Sequence, residues 1–227
     1  MGFLKAVASL NWQALLPYII NLLVALPCIV LHEMAHGFAA YKLGDTTAKD
    51  MGRLSLNPLR HIDPLGLIMM VTLGFGWAKP VRVDMRRFRN PKRGMALTAL
   101  AGPACNFVLA LIVLFIAGII WRTGAITGGV GWYVFMILVF IAIRSTFLGI
   151  FNLIPIPPLD GSKALFSFLP DDKYLKLMRY ERYFMIIVFA LCYVGAVNRV
   201  INIVGGFVIE KFCIVTMFPP EVMALFI

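Results

Sequence analysis

Residues 13–43 read QALLPYIINLLVALPCIVLHEMAHGFAAYKL, from Gln13 to Leu43, an apolar run that ends in two histidines and a glutamate. No Asp, Glu, Lys or Arg occurs from Ala6 to Leu31. A hydrocarbon core of about 30 Å takes about 20 helical residues, so one helix over this run is longer than a bilayer and must tilt or project. Gly44 and Asp45 stop it. Gly94 to Trp121 and Thr123 to Ile143 are equally free of charge. Of 227 residues 61% are hydrophobic and 14% charged, where a soluble domain has about half and a quarter. Too few polar groups remain to coat a globule, and the chain reads as a polytopic membrane protein. The first block runs on into His32 and Glu33 without a small-residue cleavage site, so it is expected to stay in the mature chain.

Charge sets the orientation. Eleven of the 21 Lys and Arg residues lie between Lys42 and Arg93 and five more between Pro155 and Arg182, while the Thr123 to Gly131 connection has none. The positive-inside rule puts both basic regions in the cytoplasm, and the net charge of +10 is read as membrane topology and lipid headgroup contact rather than nucleic-acid binding. The fold class expected is an all-α polytopic membrane protein, one membrane-embedded unit over 1–227. Its helices fall at about 13–43, 93–121, 132–153 and 183–198, and a segment at about 200–218 either crosses or lies in the interface. The stretch from Pro64 to Pro80 is apolar but short and interrupted by Gly66, Gly74 and Gly76. A re-entrant or strand-like loop there keeps the basic residues on one side, and such backbone at membrane depth must line protein or a wet cavity. Four cysteines without CxxC spacing read as small buried hydrophobes.

The chemistry concentrates at His32-Glu33-Met34-Ala35-His36. Helical residues four apart share a face, which lets two imidazoles reach one Zn²⁺, with Glu33 beside them to take a proton from a water. Ionisable groups inside an apolar helix cost free energy unless paired or metal-bound, and a metal-free polar clamp between helices is the alternative. A catalytic zinc takes a third protein ligand and keeps an open position. Asp160 is the candidate, because Asn152-Leu153-Ile154-Pro155-Ile156-Pro157-Pro158-Leu159-Asp160-Gly161 is a proline-broken segment that returns a carboxylate to the third helix. Read alone, Asp160-Gly161 is also an ordinary turn.

These motifs, with Ala101-Gly102-Pro103-Ala104-Cys105-Asn106 between them, stand in one order on three successive helices. Together they resemble the site-2 protease family of intramembrane zinc metalloproteases. Gly52 to Pro58 and His61-Ile62-Asp63-Pro64 resemble its compact prokaryotic branch without PDZ or CBS domains, so the bacterial or archaeal plasma membrane is the expected location. The resemblance implies one Zn²⁺ held by His32, His36 and Asp160, with Glu33 as general base. It further implies that Asn106 serves the substrate or the developing oxyanion and that Asn152 orients groups near the third ligand. The implied substrate is a transmembrane protein cut in or next to its membrane helix, on the cytoplasmic side.

Rival readings are an ion or zinc transporter and a silent scaffold, although no internal repeat of the transporter kind is visible. A membrane zincin of the prenyl-protein type needs a downstream glutamate ligand, and no Glu follows Glu33 before Glu181. His61 reads as a turn residue, and Arg144 as an intramembrane cation that faces a partner or snorkels.

Overall fold

The structure, a computed structural model, describes residues 9, 11–73, 78–126, 129–170, 173, 174, 176, 177 and 180–226. Among the described residues three helices are long and apolar enough to cross a membrane: α1 (Trp12–Lys42), α3 (Pro91–Arg122) and α4 (Val130–Leu153), with α2 (Pro64–Leu73) between the first two. After α4 come α5 (Asp160–Phe166), α6 (Glu181–Tyr193) and α7 (Ala196–Thr216). The chain is an all-α membrane protein.

Local sequence explains the ends. Asn11 and Asn90 cap α1 and α3, their side-chain oxygens accepting from Ala14 N and Arg93 N at 3.1 Å each, and Pro91 supplies a first position that needs no donor. The α1 helix ends where Leu43 N–H turns back to the carbonyls of Ala39 and Ala40, and Gly44 follows at φ 108°, a backbone conformation that only glycine adopts easily.

The stretch read as a re-entrant or strand-like loop is helical from Pro64 to Leu73; Gly74 and Gly76 lie outside the described residues. Asp63 decides this, since its Oδ1 accepts from Gly66 N at 2.9 Å and its carbonyl from Leu67 N at 2.8 Å, a helix start that outweighs the glycines. Among the described residues strand character is limited to one antiparallel bridge between Ile62 and Ala78. Toward the C-terminus the expected 183–198 helix breaks earlier, at Gly195 with φ 78°, and α7 runs on through Asn198 to Thr216.

The core lies where α3, α4 and α7 meet. Ala110, Ala117 and Ala142 let the backbones approach around Leu114, Phe135, Val139, Ile209 and Cys213, all buried. Glycines admit aromatic rings in the same way: a Cβ on Gly149 would stand 2.9 Å from Phe107 Cε1, and one on Gly205 would collide with the Phe147 ring. The four cysteines are unpaired.

At the polar end of α1, buried Asp45 gathers donors. Its Oδ1 accepts from Thr47 N at 2.9 Å and Thr47 Oγ1 at 2.5 Å, and its Oδ2 from Asp84 N at 2.7 Å. That clamp fixes the segment leading to α3 against the end of α1. Beside it the Arg86 fork on Asp84, two bonds of 2.9 Å, holds the Asp84 carboxyl down at about 2.

Candidate metal centre

The α1 helix presents His32 and His36 inward toward α3. The surface they meet is Gly102, where a Cβ would stand 2.5 Å from His36 Cε1 and Nε2 and 2.7 Å from His32 Cε1. Only glycine leaves room for both imidazoles. Below them, α4 ends at Leu153 and the proline segment turns the chain so that Asp160 opens α5 facing the rings. Gly161 is equally constrained, since a Cβ there would run into the Leu153 carbonyl.

The result is a tight triangle. His32 Nε2 and His36 Nε2 are 3.0 Å apart, and Asp160 Oδ2 lies 3.1 Å from the first and 3.0 Å from the second. All three side chains are buried, at 5%, 8% and 8% relative exposure. Among the described residues they are the one group of three or more His, Cys, Asp or Glu side chains with converging donor atoms. Their separation suits a shared cation, because donors at about 2.0–2.1 Å from one tetrahedral ion stand about 3.3 Å from each other. Two nitrogen lone pairs and a carboxylate pointed at one spot in an apolar interior repel and desolvate one another unless a proton or a metal lies between them.

The second layer fits the same ion. His36 Nδ1–H donates to the carbonyl of Thr98 at 2.7 Å, which leaves Nε2 with its lone pair toward the triangle. Asn106, fully buried, approaches His32 Nδ1 with its amide at 3.2 Å, while its Oδ1 has no donor among the described residues. An imidazole that binds metal through Nε2 carries its proton on Nδ1 and needs an acceptor there, and the unpartnered Oδ1 of the same amide is one half-turn away. Ser145 Oγ donates to the Asn106 carbonyl at 2.9 Å and links α4 to this part of α3. Lys163 Nζ stands 3.8 Å from the other Asp160 oxygen.

Glu33 points elsewhere on α1. It is partly exposed, and its Oε2 accepts from the backbone N–H of Val81 at 2.9 Å. Asn152 does not join the cluster: its amide donates to the Leu148 carbonyl at 3.0 Å, one turn back on α4. His61 is buried outside the triangle with Nε2 donating to the Ser55 carbonyl at 2.7 Å, and Arg144 donates to Asn21 Oδ1 at 2.5 Å. Sequence reasoning missed three participants. The Thr98 carbonyl and the Val81 N–H are backbone groups with no residue signature, whereas Gly102 was visible as a small residue in a helix that had to pack against imidazoles.

Comparison with known proteins gives the same direction. The profile of peptidase family M50 matches residues 129–195, the part of the chain that carries Asp160. YwhC of Bacillus subtilis is 37% identical over 183 residues, 78% of this chain and 81% of that protein. Rip2 of Mycolicibacterium smegmatis is 32% identical over 175 residues, 75% of this chain and 65% of Rip2. A Methanocaldococcus jannaschii protein is 31% identical over 153 residues, 67% and 72% of the two chains. Each of the three bears a provisional zinc-metalloprotease name. No solved structure matches the chain.

Proposed function

The chain belongs to peptidase family M50, the site-2 type zinc metalloproteases, and from that premise we propose that it hydrolyses a peptide bond in or next to a transmembrane helix of a membrane-protein substrate. The observation that carries this reading is the buried triangle of His32, His36 and Asp160, with Glu33 one residue along the helix from the first of them. These three side chains are the zinc ligands in our assignment. When bound, the metal activates a water molecule and polarises the scissile carbonyl.

The remaining work falls to this chain's residues. Glu33 accepts a proton from the attacking water at its carboxylate and later returns it to the departing amine. Thr98 and Asn106 hold the two imidazoles in the tautomer that offers Nε2. With its oxygen engaged by His32, the Asn106 amide keeps an NH₂ group free, and that group is our candidate donor to the oxygen that gains charge during attack; such a donor is worth about 2.7–4 kcal/mol. Asn152 is retained only as support for the turn before Asp160, through the end of α4.

A helical substrate buries its carbonyls in its own hydrogen bonds and must unwind locally to be cut. The segment from Ala78 to Asp84 lies against Glu33 through Val81 and is bridged to Ile62, so it is the edge we assign to the unwound substrate. The concentration of 16 of the 21 basic residues in two regions supports a cytoplasmic site in a prokaryotic plasma membrane.

The test is proteolysis in liposomes with a tagged single-span substrate. Cleavage that stops on chelation and returns with added zinc supports the reading. Zinc binding without cleavage of any of several single-span substrates speaks against it.

A further inference from the structure

The basic residues at the polar ends of α1 and α3 are not equivalent. Arg86 is forked onto Asp84, and Arg87 stands among Asp45, Asp50 and Asp84. Arg53 and Arg60 donate to the carbonyls of Arg60 and Gly52, and Lys92 to that of Leu169. Lys42 and Lys49 lie over the rings of Phe38 and Tyr41. The guanidinium groups of Arg89 and Arg93, both exposed, have no acidic or carbonyl partner among the described residues.

These two arginines line one cavity of about 280 Å³. Asn90, the cap of α3, lies between them in the lining, and the other walls are apolar: Leu43 at the end of α1, Phe88 from the connection, and Gly94 and Leu97 from the first turns of α3. Phe88 is buried against Gly94, where a Cβ would come within 2.5 Å of its ring, so the floor is fixed. Among the described residues no carboxylate lines the cavity. From its lower edge the exposed face of α3 continues through Leu97, Leu100, Val108, Ile112 and Phe115, the stripe this helix turns to hydrocarbon.

An occupant that satisfies this geometry carries negative charge at one end and hydrocarbon at the other. We propose that the cavity binds one anionic phospholipid of the surrounding bilayer, its phosphate between Arg89 and Arg93 and an acyl chain along Leu97 and Leu100. The planar guanidinium fork matches phosphate oxygens, and two cations with no acid beside them among the described residues favour a net negative headgroup over a zwitterionic one. The site sits at the junction of the end of α1, the helix that carries His32, and the start of α3, the helix that carries Gly102 and Asn106.

Native mass spectrometry of the intact protein, titrated with dioleoyl phosphatidylglycerol or dioleoyl phosphatidylcholine, tests the site. One phosphatidylglycerol per chain binds at least tenfold more tightly than phosphatidylcholine. The Arg89→Gln/Arg93→Gln double variant loses about 30-fold in phosphatidylglycerol affinity, at about 1 kcal/mol per arginine. Each single variant loses about fivefold, whereas Arg86→Gln stays within twofold. Soluble glycerophosphate does not displace the lipid. Equal affinity for phosphatidylcholine overturns the proposal, as does unchanged affinity in a double variant that keeps its thermal melt. Displacement by glycerophosphate also overturns it, and points to a free-phosphate site instead.

Discussion

Glu33 Oε2 accepts a hydrogen bond of 2.9 Å from the backbone N–H of Val81, which ties the carboxylate of the HExxH helix to the non-helical segment before α3. His32 and His36 face α3 from the same two turns of α1. The helix therefore separates its duties by angle: imidazoles toward the buried triangle, carboxylate toward the side from which the Ala78 to Asp84 segment approaches.

Val81→Pro deletes that donor without altering any side chain of the site. Glu33 then loses its anchor but keeps its carboxylate, and cleavage is expected to fall about tenfold, less than the roughly 10²–10⁴-fold that a general base contributes. Zinc content is expected to stay at the wild-type level. Paired measurements of cleavage rate and metal per chain check both halves.

Gly102→Ala forces a methyl group into space held by both rings, 2.5 Å from His36 and 2.7 Å from His32. One imidazole must leave the triangle. Zinc affinity, measured by competition with a chromogenic chelator, should drop at least tenfold, while Ala104→Ser on the exposed face of the same turn leaves it unchanged.

Asn106→Leu removes the amide beside His32 Nδ1 and keeps a similar volume. Loss of a partner that fixes a ligand imidazole costs about 10- to 100-fold in metal affinity, and the same loss is expected here. Cleavage at saturating zinc should remain depressed, because the donor assigned to the substrate oxygen is gone as well. Full recovery with excess zinc would confine Asn106 to holding His32.

Asp45→Ala acts on the scaffold instead of the centre. Three donors, Thr47 N, Thr47 Oγ1 and Asp84 N, lose their shared carboxylate at a fully buried position. At about 1–3 kcal/mol for each buried group left unsatisfied, with partial relaxation, a loss of about 2–4 kcal/mol is expected. Thermal melts in detergent report it. The Arg86 fork on Asp84 is untouched in that variant, so the local turn should persist.

What the sequence made legible was carried by side-chain identity. His32, Glu33 and His36 announce themselves by spacing, and Asp160 by the prolines that return it to the membrane body. The uncharged blocks located α1, α3 and α4 within a few residues. The failures have physical causes. Gly66, Gly74 and Gly76 suggested a re-entrant or strand-like loop, whereas the Asp63-Pro64 start signal makes its described part, Pro64–Leu73, helical. Gly195 ended a helix earlier than the charge at Arg199 suggested, because a left-handed turn depends on backbone freedom rather than polarity. Asn152 precedes Asp160 in sequence, yet its amide is used on its own helix. The partners of His36 and Glu33 are a carbonyl and an N–H of the main chain, which every residue except proline could supply and which only the fold selects.

The most direct test of the central claim compares the wild-type protein with Glu33→Gln in liposomes containing a tagged single-span substrate, with zinc counted per chain in both. One zinc in each protein, cleavage by the wild type, and loss of at least about 100-fold in the variant are expected, the last being the lower bound for removing a general base. Equal cleavage by both proteins, or an absence of zinc in both, would contradict that claim.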